Sequence, residues 1–179
     1  MKLAILDRDG VINFDSDQYI KSPAEWRPIP GSIEAIARLN QHGYRIAVAT
    51  NQSGIGRGLF DMGTLNAIND KMMELVFRQG GRIDALFFCP HTAAESCNCR
   101  KPRTGMLEEI ATRFHTELKG VPAIGDSLKD LQAAESVGAQ PILVLTGKGK
   151  STQDGGGMPK KTLVFEDLAE ASKHLVESE

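Results

Sequence analysis

Short apolar runs and helical apolar repeats take turns along this chain. The run Lys2-Leu-Ala-Ile-Leu6, stopped by Gly10, predicts a buried strand. Further strands are predicted over 44–50, 84–88, 121–125 and 141–145, with a weaker one over 162–165. Between them Ser32 is placed as the cap of a helix carrying Ile33, Ile36, Ala37 and Leu39 and closed by Gly43. Leu65, Ile68, Met72, Leu75 and Val76 recur at helical spacing, as do Met106, Leu107, Ile110, Ala111 and Phe114. A helix through Leu128, Leu131 and Ala134 and a C-terminal helix complete the series. Alternating strands and helices predict an α/β fold, a doubly wound parallel sheet with helices on both faces. A single domain over residues 1–179 is expected, because no insertion is large enough for a second one.

Two segments fall outside the alternation. Residues 13–30, with three prolines, read as a long loop beside a strand end, a usual place for function. Gly147-Lys-Gly-Lys-Ser-Thr152 resembles a phosphate loop by eye, but the first glycine of that motif would fall at Val144. The glycine-rich continuation to Pro159 argues against the necessary helix, so a flexible linker is expected here.

The ends of the strands collect polar groups. Asp7 and Asp9 follow the first strand, Thr50 and Asn51 the second, Arg100 and Lys101 the third, and Asp126 with Asp130 the next. Each has an ordinary reading as a turn residue, a solvated charge or a helix cap. In a parallel sheet, however, all these ends face one crevice. Alternation along an extended chain sends Asp7 and Asp9 to the same side, and a hard divalent cation is the common relief for such a pair.

The three cysteines lie in one stretch, Cys89-Pro-His91 and Cys97-Asn-Cys99. Three thiols and an imidazole make the donor set of a closed tetrahedral zinc site, which leaves no open position and is therefore structural. A Cys97–Cys99 disulfide would leave Cys89 and His91 unexplained. The zinc-stapled loop directly precedes Arg100 and Lys101, whose side chains it is expected to aim.

Composition removes several function classes. With 179 residues, 41% hydrophobic and 25% charged, the chain is an ordinary globular one. A net charge of −2 gives no basic footprint for nucleic acid. No apolar run approaches the ~20 residues of a membrane span. A cytoplasmic monomer acting on a small molecule is expected.

The four motifs Asp7-Arg-Asp9-Gly-Val, Thr50-Asn51, Lys101 and Gly125-Asp126-Ser-Leu-Lys-Asp130 resemble those of the haloacid dehalogenase superfamily of phosphatases, over essentially the whole chain. The resemblance implies a Rossmann-like fold, here without a cap domain, and a phosphoric monoester hydrolase. It implies that Asp7 is the nucleophile forming an aspartyl-phosphate and Asp9 the general acid and base. Mg²⁺ would be held by Asp7, the Asp9 carbonyl and Asp126, and Asp130 would orient Lys101 or a metal-bound water. Together with the zinc loop, Asp7-Arg-Asp-Gly10 and Thr50-Asn-Gln-Ser-Gly-Ile-Gly-Arg-Gly58 imply the 7-phosphate of a heptose 1,7-bisphosphate as substrate, in lipopolysaccharide-precursor synthesis. The implied substrate contacts are Asp17, Tyr19, Thr50, Asn51, Gln52, Ser53, Arg100 and Lys101. Histidinol phosphate is the alternative substrate, and a catalytically inactive phosphate-binding protein the alternative of another class. Where this family subgroup carries a lysine after the fourth-motif aspartate, this chain has Ser127, with Lys129 two residues on.

Overall fold

The computed structural model describes residues 1–178 and places six parallel strands in one sheet. β1 (Lys2–Leu6), β2 (Tyr44–Asn51), β3 (Ala85–Cys89), β4 (Pro122–Gly125), β5 (Gln140–Val144) and β6 (Leu163–Phe165) lie in the order β3-β2-β1-β4-β5-β6. β1 is central, paired with β2 through Lys2↔Tyr44 to Leu6↔Val48 and with β4 through Ile5↔Ala123 and Leu6↔Ile124. The chain runs outward from β1 in one direction through β2 and β3, then returns to β4 and runs the other way. That reversal is the place where an open α/β sheet opens a crevice beyond its carboxyl ends.

Two cores sandwich the sheet, and the pleat of each strand assigns its residues between them. Ala4, Leu6, Ile46, Val48, Ile124, Ile142 and Val144 face one core with α1 (Ser32–Gln41), α3 (Met62–Arg78) and α7 (Leu168–Glu177). Leu3, Ile5, Ala47, Ala49 and Ala123 face the other, with α4 (Gly105–Phe114) and α5 (Leu128–Ser136). Burial on both faces explains why these strands read as continuous apolar runs. Among the described residues no inserted domain covers the carboxyl edge, and no helix is long and apolar enough to cross a membrane.

Two local expectations need correction, for Ser32 and for residues 147–159, and the long loop proves to be packed. Gly31, at φ 85°, is the N-cap of α1, whereas Ser32 is its first residue and donates from Oγ to Ile12 O at 2.6 Å. The long segment after Asp9 carries a single short helical turn (Pro23–Glu25), yet it is packed, with Ile20, Trp26 and Ile29 all buried. Residues 147–159 are not wholly a linker. They include the short helix α6 (Gly149–Gly155), with α2 (Ser53–Gly56) the only shorter α-helix among the described residues. Local propensity disfavours α6, but tertiary bonds from Lys148 and Thr152 to Asp126 fasten it to β4.

Candidate active site

Asp7 leaves the sheet at its reversal, its N–H still donating to Ile124 O of β4 at 2.9 Å. Its Oδ1 accepts from the Arg8 N–H at 2.8 Å and pairs with the Lys101 ammonium at 3.2 Å. Lys101 is buried, donates to Ala49 O at 2.7 Å and pairs with Asp130 Oδ1 at 2.7 Å. Burial disfavours the Lys101 charge, but Asp130 and then Asp7 outweigh it and raise its pKa. Asp7 is pushed well above the usual carboxylate range by burial first and by Asp130 next, with Lys101 pulling the other way.

Arg8 is wholly buried and grips Asp9, Nε to Oδ1 at 2.8 Å and Nη2 to Oδ2 at 3.3 Å. Its Nη1 donates to Asn69 Oδ1 of α3 at 3.1 Å. Asn13 Nδ2 and Gln52 Nε2 reach Asp9 as well, at 3.0 and 3.2 Å. Burial works against the Asp9 charge, yet the Arg8 guanidinium and these hydrogen bonds hold its carboxyl below the usual range. Each opening acid therefore has its own protein cation, Lys101 for Asp7 and Arg8 for Asp9.

Asp126 lies between two glycines. A Cβ on Gly10 would sit 2.0 Å from Asp126 Oδ2, and one on Gly147 would sit 2.3 Å from the same atom. Both glycines have positive φ, 87° and 55°, so the close approach and the backbone exclude a side chain together. Asp126 Oδ2 accepts from the Lys148 N–H at 2.9 Å, and Thr152 Oγ1 donates to Asp126 O at 2.8 Å. Burial, then Asp130, push the Asp126 carboxyl up to about 7. Asp130 Oδ2 accepts from Asp126 N, Ser127 N and Ser127 Oγ at 3.2, 3.1 and 2.8 Å, which caps α5.

Asp7, Asp126 and Asp130 each bring a carboxylate oxygen within 4.8 Å of the others. Lys101 and the α5 cap already occupy both oxygens of Asp130. Asp7 Oδ2, Asp126 Oδ1 and the Asp9 carbonyl accept no protein hydrogen bond among the described residues. Two acids with raised pKa values and a spare carbonyl make a hard oxygen donor set that fits Mg²⁺.

Of the residues expected to touch substrate, Asp17, Tyr19, Thr50, Asn51, Ser53, Arg100 and Lys101 line one cavity of about 480 Å³, with Asp7, Asp9, Asp126 and Asp130 at its walls. Asn51 also clamps Lys101, Oδ1 accepting from Lys101 N at 3.0 Å and Nδ2 donating to Lys101 O at 3.2 Å. Gln52, expected among them, does not line the cavity. It is buried, and its amide is spent on Asp9 and on Thr50 Oγ1 at 2.9 Å, so it braces the acid instead of lining the cavity.

The cavity also holds Asp15, Ser127, Lys129 and Lys148, which the motif reading did not place among the substrate contacts. Lys148 was the avoidable omission. It follows the end of β5, and every parallel strand end opens on the same edge.

The cysteine loop gathers as expected. Cys89 Sγ lies 3.4 Å from His91 Nδ1, 3.8 Å from Cys97 Sγ and 2.9 Å from Cys99 Sγ, and His91 Nδ1 lies 3.2 Å from Cys99 Sγ. All three thiols are free. Three thiols and an imidazole within 4.8 Å of one another make the donor set of tetrahedral zinc, whose bonds to sulfur of about 2.3 Å set sulfur atoms roughly 3.8 Å apart, as Cys89 and Cys97 are, while Cys89 and Cys99 would have to part from 2.9 Å to hold it. Burial opposes ionisation of Cys97, but hydrogen bonds from Arg100 N–H, Cys89 and Cys99 bring it down to about 6. The loop is tied to the site by Gln52 N–H donating to Cys89 O at 2.7 Å and by the adjacent Arg100-Lys101 pair.

Comparison with known proteins agrees with this geometry. Residues 2–127 match the family model for polynucleotide kinase 3 phosphatase, and residues 98–171 match the HAD-hydrolase-like model. A D-glycero-beta-D-manno-heptose-1,7-bisphosphate 7-phosphatase of Bordetella bronchiseptica is 55% identical over 177 residues, 99% of each chain. The protein of that name from Pseudomonas aeruginosa is 52% identical, over 98% of each chain. A solved structure of the D,D-heptose 1,7-bisphosphate phosphatase from B. bronchiseptica, complexed with magnesium and phosphate, superposes with a TM-score of 0.99 at 54% identity and covers 100% of both chains. Fold, catalytic edge and sequence agree that this chain belongs to the haloacid dehalogenase-like hydrolase family of phosphatases.

Proposed function

We propose that this chain is a magnesium-dependent phosphatase that removes the 7-phosphate of D-glycero-D-manno-heptose 1,7-bisphosphate, a cytoplasmic step feeding lipopolysaccharide-precursor synthesis. The observation that carries the substrate is the full-length similarity to proteins of that name. The observation that carries the chemistry is Asp7 held against Lys101 at the sheet's reversal. A full-length match to heptose phosphatases does not favour histidinol phosphate. The complete set Asp7, Asp9, Lys101 and Asp126 does not favour an inactive scaffold. Three free thiols gathered for a metal suit a reducing compartment.

Asp7 Oδ2, the Asp9 carbonyl and Asp126 would hold Mg²⁺, whose charge offsets that of the phosphoryl oxygens when bound. Cys89, His91, Cys97 and Cys99 would hold Zn²⁺ as a staple for the loop carrying Arg100 and Lys101. Lys101 and the Thr50 hydroxyl, which accepts from Gln52 and keeps its own proton to donate, orient the phosphoryl group. The Asp7 carboxylate attacks phosphorus, the bond to the sugar oxygen breaks, and Asp9 gives that oxygen a proton. Arg8, Asn13 and Gln52 hold Asp9 at that oxygen. At rest they favour its carboxylate, and the arriving phosphate dianion raises its pKa so that it carries the proton it donates. Water then attacks the phosphorus of the aspartyl-phosphate while Asp9 takes its proton, which returns Asp7 and releases phosphate.

The test is phosphate release from the heptose bisphosphate and from histidinol phosphate, with phosphorus NMR to identify the ester that is lost. Faster turnover of histidinol phosphate, or loss of the anomeric phosphate, would overturn the reading.

A further inference from the structure

The cavity that holds Asp7 also carries cations that the phosphoryl chemistry leaves unused. Arg100, Lys129 and Lys148 line the same cavity as the nucleophile. They come from three different strand ends, after β3, β4 and β5. Lys129 is pushed below the ordinary lysine range by burial and then by Arg100 and Lys148, so the three stand close enough to repel. Asp130, the nearby acid, is committed to Lys101 and to the α5 cap. Lys129 is the second residue of α5, in the turn whose N–H groups have no acceptor inside the helix. Arg100 and Lys129 therefore bring positive charge to the cavity with no ion pair of their own among the described residues, and Lys148 is paired with Asp15 alone.

Lys148 has two separate attachments. Its N–H is fixed on Asp126 Oδ2 at 2.9 Å, so its backbone cannot drift. Its ammonium pairs with Asp15 Oδ2 at 3.6 Å, and its side chain is 59% exposed. A half-exposed pair at that distance is weak. A phosphate dianion offers Lys148 twice the charge of a carboxylate and three acceptor oxygens, so exchange of partners is favourable.

We propose that Lys148 and Lys129 form, with Arg100, a seat for the second anionic group of the substrate, the phosphate that is not cleaved. Lys148 passes from Asp15 to that group when it binds. This rests on the bisphosphate reading above and gives it a residue basis in this chain.

The experiment compares kcat/KM for the heptose 1,7-bisphosphate with that for heptose 7-phosphate, which lacks the anomeric phosphate, in wild type, Lys148→Met, Lys129→Met and Lys148→Arg. Each methionine variant is expected to lower the ratio of bisphosphate to monophosphate tenfold or more, and Lys148→Arg to keep most of it. A ratio unmoved in both methionine variants overturns the seat. If wild type does not turn over the heptose bisphosphate at all, the functional reading fails separately. The seat is then judged by inhibition of p-nitrophenyl phosphate turnover with fructose 1,6-bisphosphate against fructose 6-phosphate. There Lys148→Met must erase the bisphosphate's advantage, and an advantage unchanged by that substitution overturns it.

Discussion

Lys101 and Asp130 meet at 2.7 Å, with side chains only 6% and 8% exposed. The acid that holds this buried cation is also the cap of α5, so one carboxylate couples a helix start to the candidate site. Removing one partner of a buried pair costs about 3–5 kcal/mol, and Lys101 keeps Asp7 and Ala49 O, which favours the lower end. Asp130→Asn is therefore expected to destabilise the fold by about 3 kcal/mol and to lower kcat more than tenfold. Denaturant unfolding and steady-state kinetics check both, and a stable variant with normal kcat would remove Asp130 from the site.

Asp7→Asn keeps the shape of the proposed nucleophile and removes its negative charge. Turnover is expected to fall by roughly 10³-fold or more, as for loss of a covalent nucleophile. Acid-quenched wild type with labelled substrate should carry phosphate on Asp7, and the variant should carry none. A labelled variant would assign the nucleophile elsewhere.

The fold was readable because parallel strands buried on both faces leave apolar runs, and α1, α3, α4 and α5 leave repeats at helical spacing. Asp7, Asp9, Lys101 and Asp126 were readable as a group because strand ends share one edge. The helix α6 was not, because residues 147–157 are rich in glycine and their order comes from contacts with Asp126 and Gly10, far away in sequence. Arg8 and Gln52 illustrate a second limit. Sequence placed both near the acids, but only packing shows that Arg8 is wholly buried beneath Asp9 and that Gln52 turns inward to it.

Zinc should be readable in stability and in rate. Cys99 lies two residues before Lys101, and Asn51 fastens the Lys101 backbone from the neighbouring strand. Elemental analysis is expected to find zinc in wild type and none in Cys99→Ser, and that substitution is expected to lower Tm and to lower kcat at least tenfold with magnesium present. Zinc lost with Tm and kcat unchanged would make the loop's metal irrelevant to Lys101.

Magnesium should stabilise the protein more at pH 8 than at pH 6. Burial and then Asp130 raise the Asp126 carboxyl to about 7 in the folded chain, and Asp7 is raised as well. A raised carboxylate pKa means that the metal-free fold binds a proton the unfolded chain does not, between about 4 and about 7. That contribution is present at low pH and is lost as pH rises through about 7. Asp9, shifted downward, acts only at lower pH. The cation competes with the proton at pH 6 and finds ionised acids at pH 8. Thermal melts with and without saturating magnesium are expected to show a larger Tm gain at pH 8, and an equal gain at both would contradict the assignment of Asp126 as a ligand.

Gly147 tests the placement of Asp126 by contact alone. A Cβ there meets Asp126 Oδ2 at 2.3 Å and the Gly10 Cα at 2.6 Å, at φ 55°. Gly120 has a similar φ of 73° and nothing within 4 Å of its added Cβ. Both alanine variants bear the backbone cost of a left-handed residue, about 1 kcal/mol. Only Gly147→Ala must move a carboxylate or a backbone segment as well. Gly120→Ala is expected to lose that backbone share of stability and to keep its magnesium dependence. Gly147→Ala should lose more stability and need at least tenfold more magnesium for half-maximal activity. Magnesium titrations of phosphate release, read beside unfolding curves, separate the two effects. If the two variants shift the magnesium midpoint equally, the glycine pair around Asp126 does not set its position.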